Sequence, residues 1–290
     1  MEILRTLGTV EEPLSFSELH ERVDMRDSGQ FNYHLDKLVN HFVDRIDEGY
    51  VLTRAGERVI EAVLSGAVTE NPTMESITID QSCQHCGAPI GVAYREERVT
   101  VFCTECRGTY GRRSEASDHG HLGTLYLPPA GVQNRTPSEV YRAARIWGGL
   151  ATMATASGVC PRCSASITED VEVCTEHDVS EGVCTACTNR YAVSIVFRCP
   201  NCIYERGGMF GVTLLTNTDL LAFLTARGIN PITPSSHSAI GAALDYDEEI
   251  LSEEPFEARF TFTDDGDSLT LIVDEDLSVS SVSRNRSLES

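Results

Sequence analysis

At 290 residues with 41% apolar side chains, the chain has the length of about two domains and enough core-forming residues to exclude wholesale disorder. A formal net charge of −21, from 44 acidic and 23 basic residues, excludes bulk attraction as the main source of affinity for a phosphate backbone. Met1 leads straight into a charged amphipathic stretch with no apolar leader, and the apolar run at 146–156 is too short to span a bilayer. The sequence therefore predicts a soluble, cytoplasmic protein without membrane contact.

Residues 1–65 read as helix, helix, helix, hairpin, helix. Ser15 and Glu18 stand at capping-box spacing and start the second helix. Arg26-Asp27-Ser28-Gly29 forms a turn, and a third helix, capped by Asp27 or Ser28, runs to about His41. Phe31, Leu35, Leu38, Val39 and Phe42 recur on one face at a 3.6-residue period. With Phe31 as the buried direction, Gly29, Tyr33, Lys37 and Asn40 point outward, and Gln30 and His34 lie on the flank. Residues 42–46 and 50–53 flank Asp47-Glu48-Gly49 as a short hairpin, and Thr53 caps a helix to about Leu64.

Residues 66–80 read as a linker, and 81–135 as a first cysteine module followed by an irregular segment. Cys83-x2-Cys86 and Cys103-x2-Cys106 stand sixteen residues apart, the spacing of a zinc ribbon. Residues 89–94 and 99–102 can pair across Arg95-Glu96-Glu97-Arg98, which brings both pairs of thiols to one end. His119 and His121 flank Gly120 without a partner motif and read as loop residues.

The region 136–290 reads as a helix, a second zinc-binding module and a C-terminal α+β part. Thr136-Pro137 opens a helix over 138–156. The second module holds Cys160-x2-Cys163, Cys174-x2-His177, Cys184-x2-Cys187 and Cys199-x2-Cys202. Eleven cysteines plus His177 supply twelve ligands, which fill three four-coordinate Zn2+ sites with none left over. A β-prone run at 191–198 keeps its two flanking thiol pairs too far apart to share an ion. That favours nested pairing: Cys174, His177, Cys184 and Cys187 at one end of a hairpin, and Cys160, Cys163, Cys199 and Cys202 at the other. Sequential and interleaved pairings remain the alternatives. A helix over 218–227 ends at Gly228, residues 257–282 carry two or three strands around Asp264-Asp265-Gly266-Asp267, and 283–290 read as frayed. The fold class expected is α+β.

The segment GQFNYHLDKLVNHFV, followed by GYVLTRAGERVI, resembles the winged-helix domains of ArsR-type regulators in a haloarchaeal version. The resemblance covers about the first quarter of the chain. It implies a homodimer that binds double-stranded DNA, with the third helix in the major groove. On that helix Gln30, Asn32, Tyr33, His34, Lys37 and Asn40 match the reading positions, and Arg45 and Arg54 match wing contacts to phosphate. His34 reads as a structural flank residue. A single lysine, Lys37, beside 22 arginines and an acid excess also resembles proteins of salt-loving archaea. Two features depart from the family: the first helix is only two turns long, and no cysteine precedes Cys83, so the Cys-x-Val-Cys metal-sensing signature is absent.

No Gly-rich phosphate loop, Ser/His/Asp arrangement or open metal position is legible, so the chain reads as no enzyme. A sequence-specific transcriptional regulator with structural zinc is the expectation. The alternatives are a basal accessory factor resembling the archaeal TFIIE large subunit, in contact with the transcription machinery, and a zinc- or redox-responsive interaction module.

Overall fold

The computed structural model describes residues 1–111, 120–231, 233–243 and 245–285. They are organised in two compact units, one of residues 1–71 and 128–133, the other of residues 72–127 and 134–290. The fold class is α+β, with helices and antiparallel sheets.

The first unit runs α1 (Glu2–Leu7), α2 (Phe16–Arg22), α3 (Ser28–Leu38), β1 (Val43–Ile46), β2 (Gly49–Leu52) and α4 (Arg54–Leu64). Ser15 closes the capping box with Glu18 at the start of α2, and the Asp27 carboxylate accepts from the Gly29 and Gln30 amides at the start of α3. Every element contributes to one core: Ile3, Leu4 and Leu7 from α1, Leu19 from α2, Phe31 and Leu35 from α3, Val43 and Tyr50 from the hairpin, Ile60 and Val63 from α4. The hairpin register pairs Ile46 with Gly49, so the turn is the two residues Asp47-Glu48, shorter than expected. Gly49 is required: its φ is +145°, and a Cβ there would stand 2.4 Å from the Leu14 carbonyl oxygen.

Helix α3 ends at Leu38, one turn before the expected end. Val39 is extended, and its own amide still bonds Leu35. Asn40 takes a left-handed φ of 65° and its amide donates to the Val43 carbonyl. Asn40 therefore belongs to the corner that leads into β1, not to the outward row of the helix. The helical period persists past the helix because Val39 and Phe42 continue to pack on the same core.

The second unit opens on a four-stranded meander of β3 (Met74–Ser82), β4 (Pro89–Arg95), β5 (Arg98–Cys103) and β6 (Gly120–Tyr126). Two of these strands correct the sequence reading. Most of β3 lies in the stretch read as linker, where only Ile79 is buried and the apolar signal is weak. Strand β6 lies in the stretch read as irregular, because Gly120 and Gly123 obscure its β-pattern. Gly120 is where the backbone passes closest: a Cβ there would stand 2.0 Å from the Cys106 carbonyl oxygen. His121 belongs to β6 and is buried, whereas His119 lies outside the described residues.

Helix α5 (Pro137–Ala156) follows, with Pro137 at its first turn and a Thr136–Glu139 capping box. Then come β7 (Thr168–Val173), β8 (Val193–Arg198) and β9 (Glu205–Met209), one three-stranded sheet with β8 central. The unit ends with α6 (Thr218–Thr225), α7 (His237–Ala243) and a second meander, β10 (Tyr246–Ser252), β11 (Glu257–Asp264), β12 (Asp267–Val273) and β13 (Val279–Asn285). Strand β10 was not legible in its acidic sequence, and β13 extends pairing to Asn285, into the tail read as frayed. Residues 286–290 lie outside the described residues. One core joins Val193, Ile195 and Phe197 of β8 to Leu220 and Leu224 of α6 and to Phe260, Phe262, Leu269 and Leu271 of the second meander.

Phe31 is fully buried at the centre of the first unit. Phe31→Ala is expected to destabilise that unit by about 3–5 kcal/mol, read as a lowered midpoint in a denaturant titration followed by circular dichroism.

Candidate metal centres and the outer face of α3

The first cluster forms where β3 ends and β5 ends. Cys83 follows Ser82, and Cys103 is the last residue of β5, in register with Ile90. Each Cys-x2-Cys segment turns back on itself, and its backbone amides point at sulfur. His85 N–H donates to Cys83 Sγ at 3.4 Å, Cys106 N–H to Cys103 Sγ at 3.3 Å, and Gly108 N–H to Cys106 Sγ at 3.4 Å. These donors suit thiolate more than thiol. Sulfurs face one another at 3.7 Å for Cys83–Cys106 and 3.4 Å for Cys86–Cys103.

Those separations decide the chemistry. A disulfide needs about 2.05 Å. Four thiolates at about 2.3 Å from a tetrahedral ion stand roughly 3.8 Å apart. The donor set therefore fits a metal ion.

The other two clusters sit at opposite ends of β7 and β8. The pairing runs from Thr168↔Arg198 to Val173↔Val193, six residues that span about 20 Å. At one end Cys160 faces Cys202 at 3.7 Å and Cys163 faces Cys199 at 3.5 Å. At the other, Cys187 Sγ lies 3.5 Å from His177 Nδ1, beside Cys174 and Cys184. Each of the three groups of four has its ligand atoms within 4.8 Å of one another. This is the nested arrangement; the sequential and interleaved pairings do not occur.

His177 shows how its ring is held. Nε2 lies 3.1 Å from the Arg190 carbonyl oxygen and donates to it, which leaves Nδ1 as the lone pair turned to the thiols. The amide of Asn201 and the Ala165 N–H pull the Cys163 thiol down to about 6, and backbone amides, first that of Asp178, pull Cys184 down to about 6. Burial pushes the Cys83 thiol up to about 11, and a bound cation would favour its thiolate. The Arg190 carbonyl and Asn201 had no signal in the sequence, since no spacing rule marks a partner of a ligand.

Cys83, Cys103, Cys160, Cys184 and Cys199 are buried, and every cluster supplies four protein donors. Each group could therefore hold a metal ion with protein ligands alone.

The remaining candidate residues lie in the first unit. Gln30, Asn32, Tyr33, His34 and Lys37 are all exposed on α3, with Phe31 and Leu35 buried on its other side. The Lys37 ammonium stands 5.6 Å from the Tyr33 ring centroid, and the Asn32 amide donates to Asp36 at 3.1 Å. Arg45 is exposed on β1, 5.8 Å from the Tyr50 ring. Arg54 is committed elsewhere, to Glu57 at 2.5 Å.

Cys83→Ser is expected to remove one of three metal equivalents by native mass spectrometry and leave the other two in place. Because protons compete with the ion for thiolate, lowering the pH should release all three, followed by the same measurement across a pH series.

Residues 80–279 match the family model described as Domain of unknown function (DUF7351), and residues 1–63 match that described as Domain of unknown function (DUF7347). No curated protein and no solved structure matches the chain. With most of its length, and all three clusters, inside the first match, the chain belongs to the DUF7351 family.

Proposed function

We propose that the protein is a cytoplasmic, homodimeric, sequence-specific DNA-binding transcription regulator. In this reading its N-terminal unit is a winged helix, and its C-terminal unit is held by zinc in three closed, ribbon-type sites. The observation that carries the reading is the outer face of α3. Three helices followed by a hairpin is the winged-helix order, and α3 offers Gln30, Tyr33 and Lys37 to solvent on a rigid base formed by Phe31 and Leu35. Eleven residues make a helix about 16 Å long, which a major groove admits.

Each side chain has a role suited to its chemistry. Gln30 can pair an adenine edge, and Lys37 a guanine edge or a phosphate. Tyr33, at 59% exposure, supplies a flat surface beside Lys37. Arg45 on the hairpin can reach a phosphate. Asn32 must release Asp36, and Arg54 must release Glu57, before either can contact DNA. Asp36 on α3 and Asp44, Asp47 and Glu48 on the hairpin are exposed and oppose phosphate. Affinity then rests on base edges and shape, and varies little with salt. Zinc is the ion suited to four-coordinate sites of thiolate with one imidazole.

Tyr33→Ala with Lys37→Ala should abolish operator binding in a gel-shift assay at high salt while leaving three metal equivalents bound. Unchanged binding would remove α3 as the reading helix. Chromatin immunoprecipitation of the native protein should give discrete peaks. A peak at every active promoter would mark a basal accessory factor, and no enrichment an interaction module.

A further inference from the structure

Helix α5 carries two apolar stripes, and only one is used inside the chain. Val140, Tyr141, Ala144, Gly148, Thr152 and Thr155 are buried, and the helix packs on β3, β6 and the turn that precedes α6. At 100° per residue a second stripe falls well away from that face: Ala143, Ile146, Trp147, Leu150, Met153 and Ala154. Trp147 and Leu150 are each 49% exposed.

The charge pattern says what covers this face. The chain holds 44 acidic residues in 290, yet none between Glu139 and Glu169, the longest run without a carboxylate. Two copies at −21 each repel wherever carboxylates meet, and this is the extended apolar surface where they would not. The charged residues of that run are arginines, Arg142, Arg145 and Arg162, and Arg162 already pairs with Glu97 at 3.8 Å. We infer that the exposed stripe of α5, centred on Trp147 and Leu150, is the contact between two copies of this chain. Around a twofold axis the two helices run antiparallel, and Trp147 of each copy meets Leu150 of the other. The patch is small against the roughly 800 Å² per partner of a standard interface, so association is reversible with dilution. This inference rests on the homodimer in the reading above and places its interface in the C-terminal unit.

The test is sedimentation equilibrium of the metal-loaded full chain over a range of concentration and potassium chloride. Trp147 is the only tryptophan, so its emission should shift to the blue as dimer forms. Added salt screens the repulsion between copies and should tighten association. Trp147→Glu with Leu150→Glu should weaken it at least about 100-fold, with three metal equivalents retained as proof of folding, and Trp147→Phe should preserve it. A dimer that survives the double glutamate variant, or one that dissociates as salt is added, overturns this interface while leaving the homodimer intact. A wild-type chain that stays monomeric throughout overturns both, and the gel-shift assay with the Tyr33 and Lys37 variant still judges DNA reading on its own.

Discussion

Four thiolate or imidazole donors crowded to van der Waals distance repel unless a cation lies among them, and three times in this chain the backbone brings such a set together. Strand β7 illustrates the dependence. None of its residues is fully buried, and its sequence is half acidic. Six pairs with β8 are a poor anchor for such a strand, but its two ends run directly into ligands, toward Cys163 on one side and Cys174 on the other. A bound ion at each end would fix both the register and the ends. Strand β8 differs, because Val193, Ile195 and Phe197 reach the main core. The sheet is thus one strand rooted in apolar packing with its neighbour secured at the tips.

The N-terminal unit rests on ordinary burial instead, with no cysteine in it. Ten or so apolar side chains from six elements meet around Phe31, and caps at Ser15, Asp27 and Thr53 define where helices begin. The same side of α3 that secures the core frees the opposite side for contact. Under the proposed function, selectivity for DNA would come from the few groups that meet base edges, and binding would lose little when salt is abundant.

Much of this was readable from residue pattern, for physical reasons. Cysteine pairs two residues apart have few uses in one chain at this density, and the β-prone length of 191–198 already argued against its flanking pairs sharing an ion. The capping box at Ser15 and the Thr136-Pro137 pair located helix starts because the chemistry is local. The errors came where the decisive partner is remote. Asn40 continued a helical period that the backbone had already left. Strand β3 is a strand because β4 pairs with it, and β6 because Gly120 fits against the Cys106 carbonyl. Strand β10 is acidic on its outer face and contributes Tyr246 inward, a pattern too sparse to detect alone.

The backbone of Arg190 has a wider consequence. Its carbonyl receives the Nε2 proton of His177, and its amide donates at 2.8 Å to the Thr109 carbonyl, three residues past Cys106. Thr109 in turn bonds through its amide to His121 on β6. The backbone at residue 190 therefore joins two of the chelating clusters through successive peptide units that meet at its Cα. A shift of the backbone at residue 190 would be felt on both sides, although each cluster closes on its own four ligands.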